Sequence, residues 1–134
     1  MARLITAVAM NGIVHAPHLL LQVDGVPPPR LPDVARIQID QEALDCVKRG
    51  LERVVSSPTG TGRLAQVFDV PAAGKTGTAQ VPQGRPHAWF IGYAPVEHPK
   101  VSFAVFLEHG GKGGESAAVV VRDLLVTLHE LEYL

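Results

Sequence analysis

The sequence predicts an α+β chain, an antiparallel three-stranded sheet with helices packed against it, and three observations carry that prediction. A strand-like run containing Thr76, Thr78 and Val81 is followed by the turn-forming Pro82-Gln83-Gly84-Arg85-Pro86 and then by a second run, Ala88-Trp89-Phe90-Ile91-Gly92-Tyr93; two such runs around a turn make a hairpin. A third run, residues 100–107, is apolar at nearly every position, as in a strand covered on both faces. Two stretches repeat apolar residues at helical spacing: Leu44, Val47, Leu51, Val54 and Val55, then Ala118, Val121, Leu124, Leu125 and Leu128, each stripe suited to packing on a sheet.

The elements follow in order. Leu4, Ala7 and Val8 share the face of a short amphipathic helix that Asn11-Gly12 terminates. The same run is too short and too poorly followed by small residues for a cleavable leader. An extended run is expected over residues 18–23, ending at Asp24-Gly25. Pro27-Pro28-Pro29-Arg30-Leu31-Pro32 fits neither ladder nor helix and reads as a connector. Asp40 then opens the clearest early helix, its carboxylate accepting from free N–H groups and Ile39 packing on Leu44. Glu42, Lys48, Arg49 and Arg53 are expected to face water, and Pro58 closes the helix. The second and third strands are joined through Ala94-Pro95-Val96-Glu97-His98-Pro99, and the glycine-rich turn 110–114 leads into the last helix.

Composition narrows the function. A chain of 134 residues with net charge −1 and both signs scattered fits one domain or part of one, with no basic surface for nucleic acid. No apolar run approaches the roughly 20 residues needed to span a bilayer. The single Cys46 excludes an internal disulfide and reads as a small packed side chain rather than a reactive thiol. Six histidines stand singly along the chain, without the spacing of a metal site. The turn 110–114 reads as flexible rather than as an anion site, and Trp89 and Phe90 read as core.

The segment richest in chemistry is Ala73-Gly74-Lys75-Thr76-Gly77-Thr78-Ala79-Gln80. Gly74-Lys75-Thr76 imitates the end of a phosphate-binding loop, but that motif requires a glycine where Asp69 stands, and Pro82 with Gly84 would break the helix it needs. A lysine on a strand edge is also a common guard against edge-to-edge pairing. Gly74 and Gly77 point further, since a strand has little use for side-chain-free positions unless a ligand or another backbone comes close. Lys75, Thr76, Gly77 and Thr78 are therefore the candidate substrate-binding residues, suited to a peptide carboxylate, with Thr76 and Thr78 expected on the two sides of the bound chain.

These residues, with His87-Ala88-Trp89-Phe90-Ile91-Gly92-Tyr93-Ala94-Pro95, Glu108-His109-Gly110-Gly111, Thr59-Gly60-Thr61-Gly62 and the helix before Asn11-Gly12, resemble the C-terminal half of the transpeptidase domain of class B penicillin-binding proteins, of the cell-elongation type. The resemblance spans nearly the whole chain. It implies the serine β-lactamase/D,D-transpeptidase-like fold and a serine-type D,D-transpeptidase that cross-links peptidoglycan stem peptides and is acylated by β-lactams, with no cofactor and no metal. It implies that Lys75 supplies positive potential and part of a proton relay, that Thr76 and Thr78 bind the ligand carboxylate, and that the Thr78 N–H is one oxyanion-hole donor. The parent protein is expected at the cell membrane with this domain on the extracytoplasmic side.

Two of the family's three sequence boxes are absent. None of the four serines, Ser56, Ser57, Ser102 and Ser116, has a lysine three positions later, and the one asparagine, Asn11, has Ala9 two positions before it. Residues 1–134 therefore read as the C-terminal portion of the domain, inactive alone, with the Ser-x-x-Lys and Ser-x-Asn boxes expected before Met1. A β-lactamase or β-lactam sensor fragment, and a non-catalytic interaction module, are the alternatives.

Overall fold

The structure, a computed structural model, describes residues 1–17, 22, 24–26 and 35–134. Apart from Gln22, the run 18–23 and the proline connector 27–32 lie outside the described residues. Helix α1 (Ala2–Ala9) ends where Asn11 and Gly12 both take positive φ. A two-residue pairing follows, β1 (Ile13–Val14) against β2 (Ala35–Arg36), which the sequence did not announce. Helix α2 (Gln41–Ser56) starts at Asp40, whose Oδ1 accepts from the Ala43 N–H at 2.8 Å, as its position before the apolar stripe predicts.

The expected three strands form: β3 (Ala73–Ala79), β4 (His87–Ala94) and β5 (Val101–Leu107), antiparallel in the order β3-β4-β5. Lys75 lies opposite Ile91, Thr76 opposite Phe90, Gly77 opposite Trp89 and Thr78 opposite Ala88. A short 3-10 turn (Arg63–Ala65) precedes the sheet, and a π-helical turn (Gly113–Ala117) leads into α3 (Ala118–Glu130).

Strand alternation divides the core between the two faces of the sheet. On one, Ala88, Phe90, Ala94 and Phe103 pack with Ala118, Val121 and Leu125 of α3 and with Val55 of α2. Val121 and Leu125 are fully buried, and burial of each side chain contributes about 1.5–3 kcal/mol. On the other, Ala73 and Tyr93 meet Ile5 and Ala9 of α1, with Val8, Leu51 and Ile91 at the margin.

Several local expectations are corrected. Leu4 is exposed and Ile5 takes the inward position on α1, because the sheet lies against the Ile5–Ala9 stripe. Val47, Ile39 and Cys46 are exposed, so there is no packed thiol. Lys48 turns inward instead, donating to the Ala9 carbonyl at 3.1 Å and to Asn11 Oδ1 at 2.8 Å. Among the described residues nothing covers β5 fully on its second face. It is an edge strand whose one buried residue is Phe103, and α1 covers only part of its second face, where Thr6 and Ser102 share a hydroxyl hydrogen bond.

Candidate functional site

β3 is the other edge of the sheet, and its open side is where the candidate residues gather. Residues alternate across a strand, and the register puts Lys75 and Gly77 on the face of Ile91 and Trp89, and Thr76 and Thr78 on the face of Phe90 and Ala88. The expectation that the two threonines flank a ligand from opposite sides is thereby corrected: with a period of two, Thr76 and Thr78 share a side and Lys75 takes the other.

Each polar group has a defined partner. Lys75 is exposed, and its Nζ donates to the Thr76 carbonyl at 2.7 Å. That carbonyl therefore faces the open edge. In an antiparallel strand a residue's N–H and C=O point to the same side and that side recurs at every second residue, so the Thr78 N–H faces the open edge too. Thr76 Oγ1 donates to Thr61 Oγ1 at 3.0 Å, and Thr78 Oγ1 accepts from the Gly113 N–H at 3.3 Å.

The segment expected to be a flexible turn is thus part of the site's support. Gly113 is buried beneath β3, and a Cβ there would overlap the carbonyl oxygens of Gly77 and Trp89. Only glycine permits this approach of one backbone to another. On the opposite face a cleft of about 390 Å³ is lined by Met1, Lys75, Thr76, Gly77, Thr78, Ala79, Trp89 and Ile91. Trp89 is half-buried and forms one wall, whereas Phe90 is fully buried; the core expectation holds for Phe90 alone.

Beside the cleft the indole of Trp89 packs on Phe106, with ring centroids 4.5 Å apart. His87 meets Phe106 edge-on at 5.3 Å. The sequence presented His87 and His109 as unrelated, yet the fold joins them. The His109 N–H donates to His87 Nδ1 at 2.9 Å, and His109 Nδ1 lies 2.9 Å from the Arg85 carbonyl. The pairing ties the hairpin's turn to the loop after β5; nothing in the spacing of the two residues signals it. Among the described residues there is no group of three or more potential metal ligands.

Deeper in this face Tyr93 is fully buried and its hydroxyl has no hydrogen-bond partner among the described residues. Burial pushes its pKa above the ordinary 10, and the negative charge of Glu52 adds to the shift. The phenol is therefore an apolar spacer under the site, held neutral.

Comparison with known proteins gives the family. The sequence profile described as "Penicillin binding protein transpeptidase domain" matches residues 1–126. The peptidoglycan D,D-transpeptidase MrdA of Haemophilus influenzae is 33% identical over 146 aligned residues, covering 92% of this chain and 22% of that protein. PbpA of Mycolicibacterium smegmatis, also named a peptidoglycan D,D-transpeptidase, is 31% identical over 134, covering 90% and 27%. The chain thus spans about a quarter of the length of these relatives. Among solved structures, Pseudomonas aeruginosa PBP2 in complex with WCK 5153 superposes with a TM-score of 0.80 at 35% identity, covering 98% of this chain and 28% of that one. Helicobacter pylori PBP2 in complex with MreC gives 0.83 at 26% identity, covering 99% and 24%. With the profile matching residues 1–126 and the relatives covering nine-tenths of the chain, this chain belongs to the penicillin-binding protein transpeptidase domain family.

Proposed function

We propose that residues 1–134 are the C-terminal portion of a serine D,D-transpeptidase domain and supply its substrate-binding strand. The observation that carries this reading is the open edge of β3, where Lys75 and the Thr78 N–H line up beside a cleft walled by Trp89. On this reading the ligand is a peptidoglycan stem peptide, or the β-lactam that imitates it, lying along β3. Gly77 leaves room for its backbone, Lys75 provides positive potential and a place in the proton relay, and the hydroxyls of Thr76 and Thr78 bind its carboxylate. The Thr78 N–H stabilises the oxyanion formed when a serine attacks the ligand carbonyl, a donor worth roughly 2.7–4 kcal/mol in the transition state.

The serine itself belongs to a preceding segment. Two facts support that division: the chain has no Ser-x-x-Lys, and it spans about a quarter of its relatives. An oxyanion-hole donor cannot replace a nucleophile, so the 134 residues alone do not turn over. The parent protein would act at the membrane on its extracytoplasmic side; among the described residues no helix is long and apolar enough to cross a bilayer.

The test is labelling by a fluorescent penicillin, followed by intact-protein mass spectrometry. The 134-residue chain should gain no covalent adduct, and a longer polypeptide carrying the Ser-x-x-Lys segment ahead of it should gain one. A stoichiometric adduct on the 134 residues would overturn the division. An unlabelled longer polypeptide would overturn the transpeptidase reading.

A further inference from the structure

We infer that Thr61 is a positioning residue for the substrate carboxylate, setting the direction of the Thr76 hydroxyl; this rests on the reading of β3 as the carboxylate-binding strand. The observation is the 3.0 Å bond in which Thr76 Oγ1 donates to Thr61 Oγ1, across 15 residues of sequence. A hydroxyl has one proton and two lone pairs. With its proton given to Thr61, Thr76 presents lone pairs to a ligand, and a carboxylate offers only lone pairs in return. Binding requires Thr76 to turn its proton toward the carboxylate. Thr61 then rotates its own hydroxyl and donates to Thr76, so the oxygens stay in place and only two protons swing. The chain from Thr61 to Thr76 to carboxylate runs in one direction, and each bond polarises the next.

Thr61 is well placed to act this way because its backbone is fixed from two sides. A Cβ on Gly60 would overlap the Val54 carbonyl at the end of α2, and a Cβ on Gly114 would overlap the Thr61 carbonyl itself. The Gly62 N–H also donates to the Val54 carbonyl at 2.9 Å. The loop 59–62 is therefore clamped between α2 and the π-helical turn, and the Thr61 hydroxyl stands at a fixed height beside β3. The side chain itself is exposed, so its hydroxyl is free to rotate.

The experiment uses the longer polypeptide that carries these residues behind the Ser-x-x-Lys segment, acylated by benzylpenicillin and, separately, by its methyl ester, which lacks the carboxylate charge. Thr61→Val should lower the second-order acylation constant for the acid by roughly three- to tenfold, the range of one hydrogen bond, and leave the ester nearly unchanged. Thr61→Ser, which keeps the hydroxyl, should restore the acid. A merely structural role would slow acid and ester together and would not be rescued by serine; that result overturns the inference. Thr76→Val separates the two levels of argument. If it spares the acid, the carboxylate reading of β3 fails; if it slows the acid while Thr61→Val does not, that reading stands and the role of Thr61 is wrong.

Discussion

At the scale of single residues, the two threonines of the site take partners far off in sequence, Thr61 and Gly113, while Lys75 bonds its own neighbour. Lys75 is exposed and Thr76 half-buried on the open edge of β3, so Lys75→Ala and the nearly isosteric Thr76→Val in the longer, acylating polypeptide should slow acylation by roughly tenfold or more, the scale of charge-assisted hydrogen bonds. The folding free energy should move by no more than about 0.5 kcal/mol, as for other surface substitutions. A collapsed thermal midpoint with unchanged acylation would make both residues structural. Tyr93 is the reverse case. Its hydroxyl is buried without a partner among the described residues, so Tyr93→Phe should be neutral or stabilising. Because the folded-state pKa lies above the ordinary 10, the fold resists ionising this phenol: there is no such penalty below pH ~10, and stability falls as pH rises from there through the folded value. Denaturant midpoints of the wild type and Tyr93→Phe across alkaline pH would check this: the wild type should weaken above pH ~10 more than the variant. The sequence marked the four residues of β3 as candidates because glycine and lysine in a strand demand a reason. It marked Thr61 only as part of the motif Thr59-Gly60-Thr61-Gly62 and hid its bond to Thr76 and the role of Gly113, because a threonine in a loop and a glycine in a glycine-rich turn are ordinary until the fold sets them against β3.

At the scale of elements, local chemistry decided the boundaries and tertiary packing decided the faces. Asp40, Asn11-Gly12 and the turn 82–86 end or begin elements by capping and positive φ, so the reading of α1, α2 and the hairpin held. Asp40→Ala should cost about 0.5–2 kcal/mol of stability, the usual worth of an N-cap, measurable as a lowered denaturant midpoint with an unchanged slope. The stripes were less exact. Leu4 and Val47 are apolar yet exposed and Lys48 is polar yet turned inward, since periodicity names a face only to within a residue and the neighbouring element chooses among the candidates. The turn 110–114 was misread because composition cannot distinguish a loop that needs freedom from one that needs close approach. Gly113→Ala separates them. If the glycine serves the approach to Gly77 and Trp89, alanine should cost roughly 1–3 kcal/mol through forced displacement and should loosen β3. A stability unchanged within error would restore the flexible-turn view.

At the scale of the whole molecule, the fold class was legible and the extent of cover was not. Residues 100–107 are apolar at nearly every position, which predicted a strand shielded on both faces, yet among the described residues α3 and its neighbours shield one face while α1 shields only part of the other. What stays open lies together: Phe106 is 45% exposed beside the half-buried Trp89, and the cleft along Lys75 to Ala79 borders the same wall. The run makes physical sense if it is shared between two parts of one domain, with the nucleophile-bearing part of the proposed transpeptidase seated on the Trp89–Phe106 side. An apolar area left without that cover should exceed the roughly 300–600 Å² of a typical monomer's largest patch, and it sits next to a free strand edge that offers unpaired backbone groups to another chain. The 134-residue chain should therefore bind a hydrophobic dye and scatter light as an associating species, and Trp89→Ser with Phe106→Ser should reduce both signals without abolishing the sheet's circular dichroism. A monodisperse, dye-silent monomer with a cooperative melt would instead show that α1, α3 and the sheet suffice as a self-contained domain, and would favour an interaction module over a portion of an enzyme.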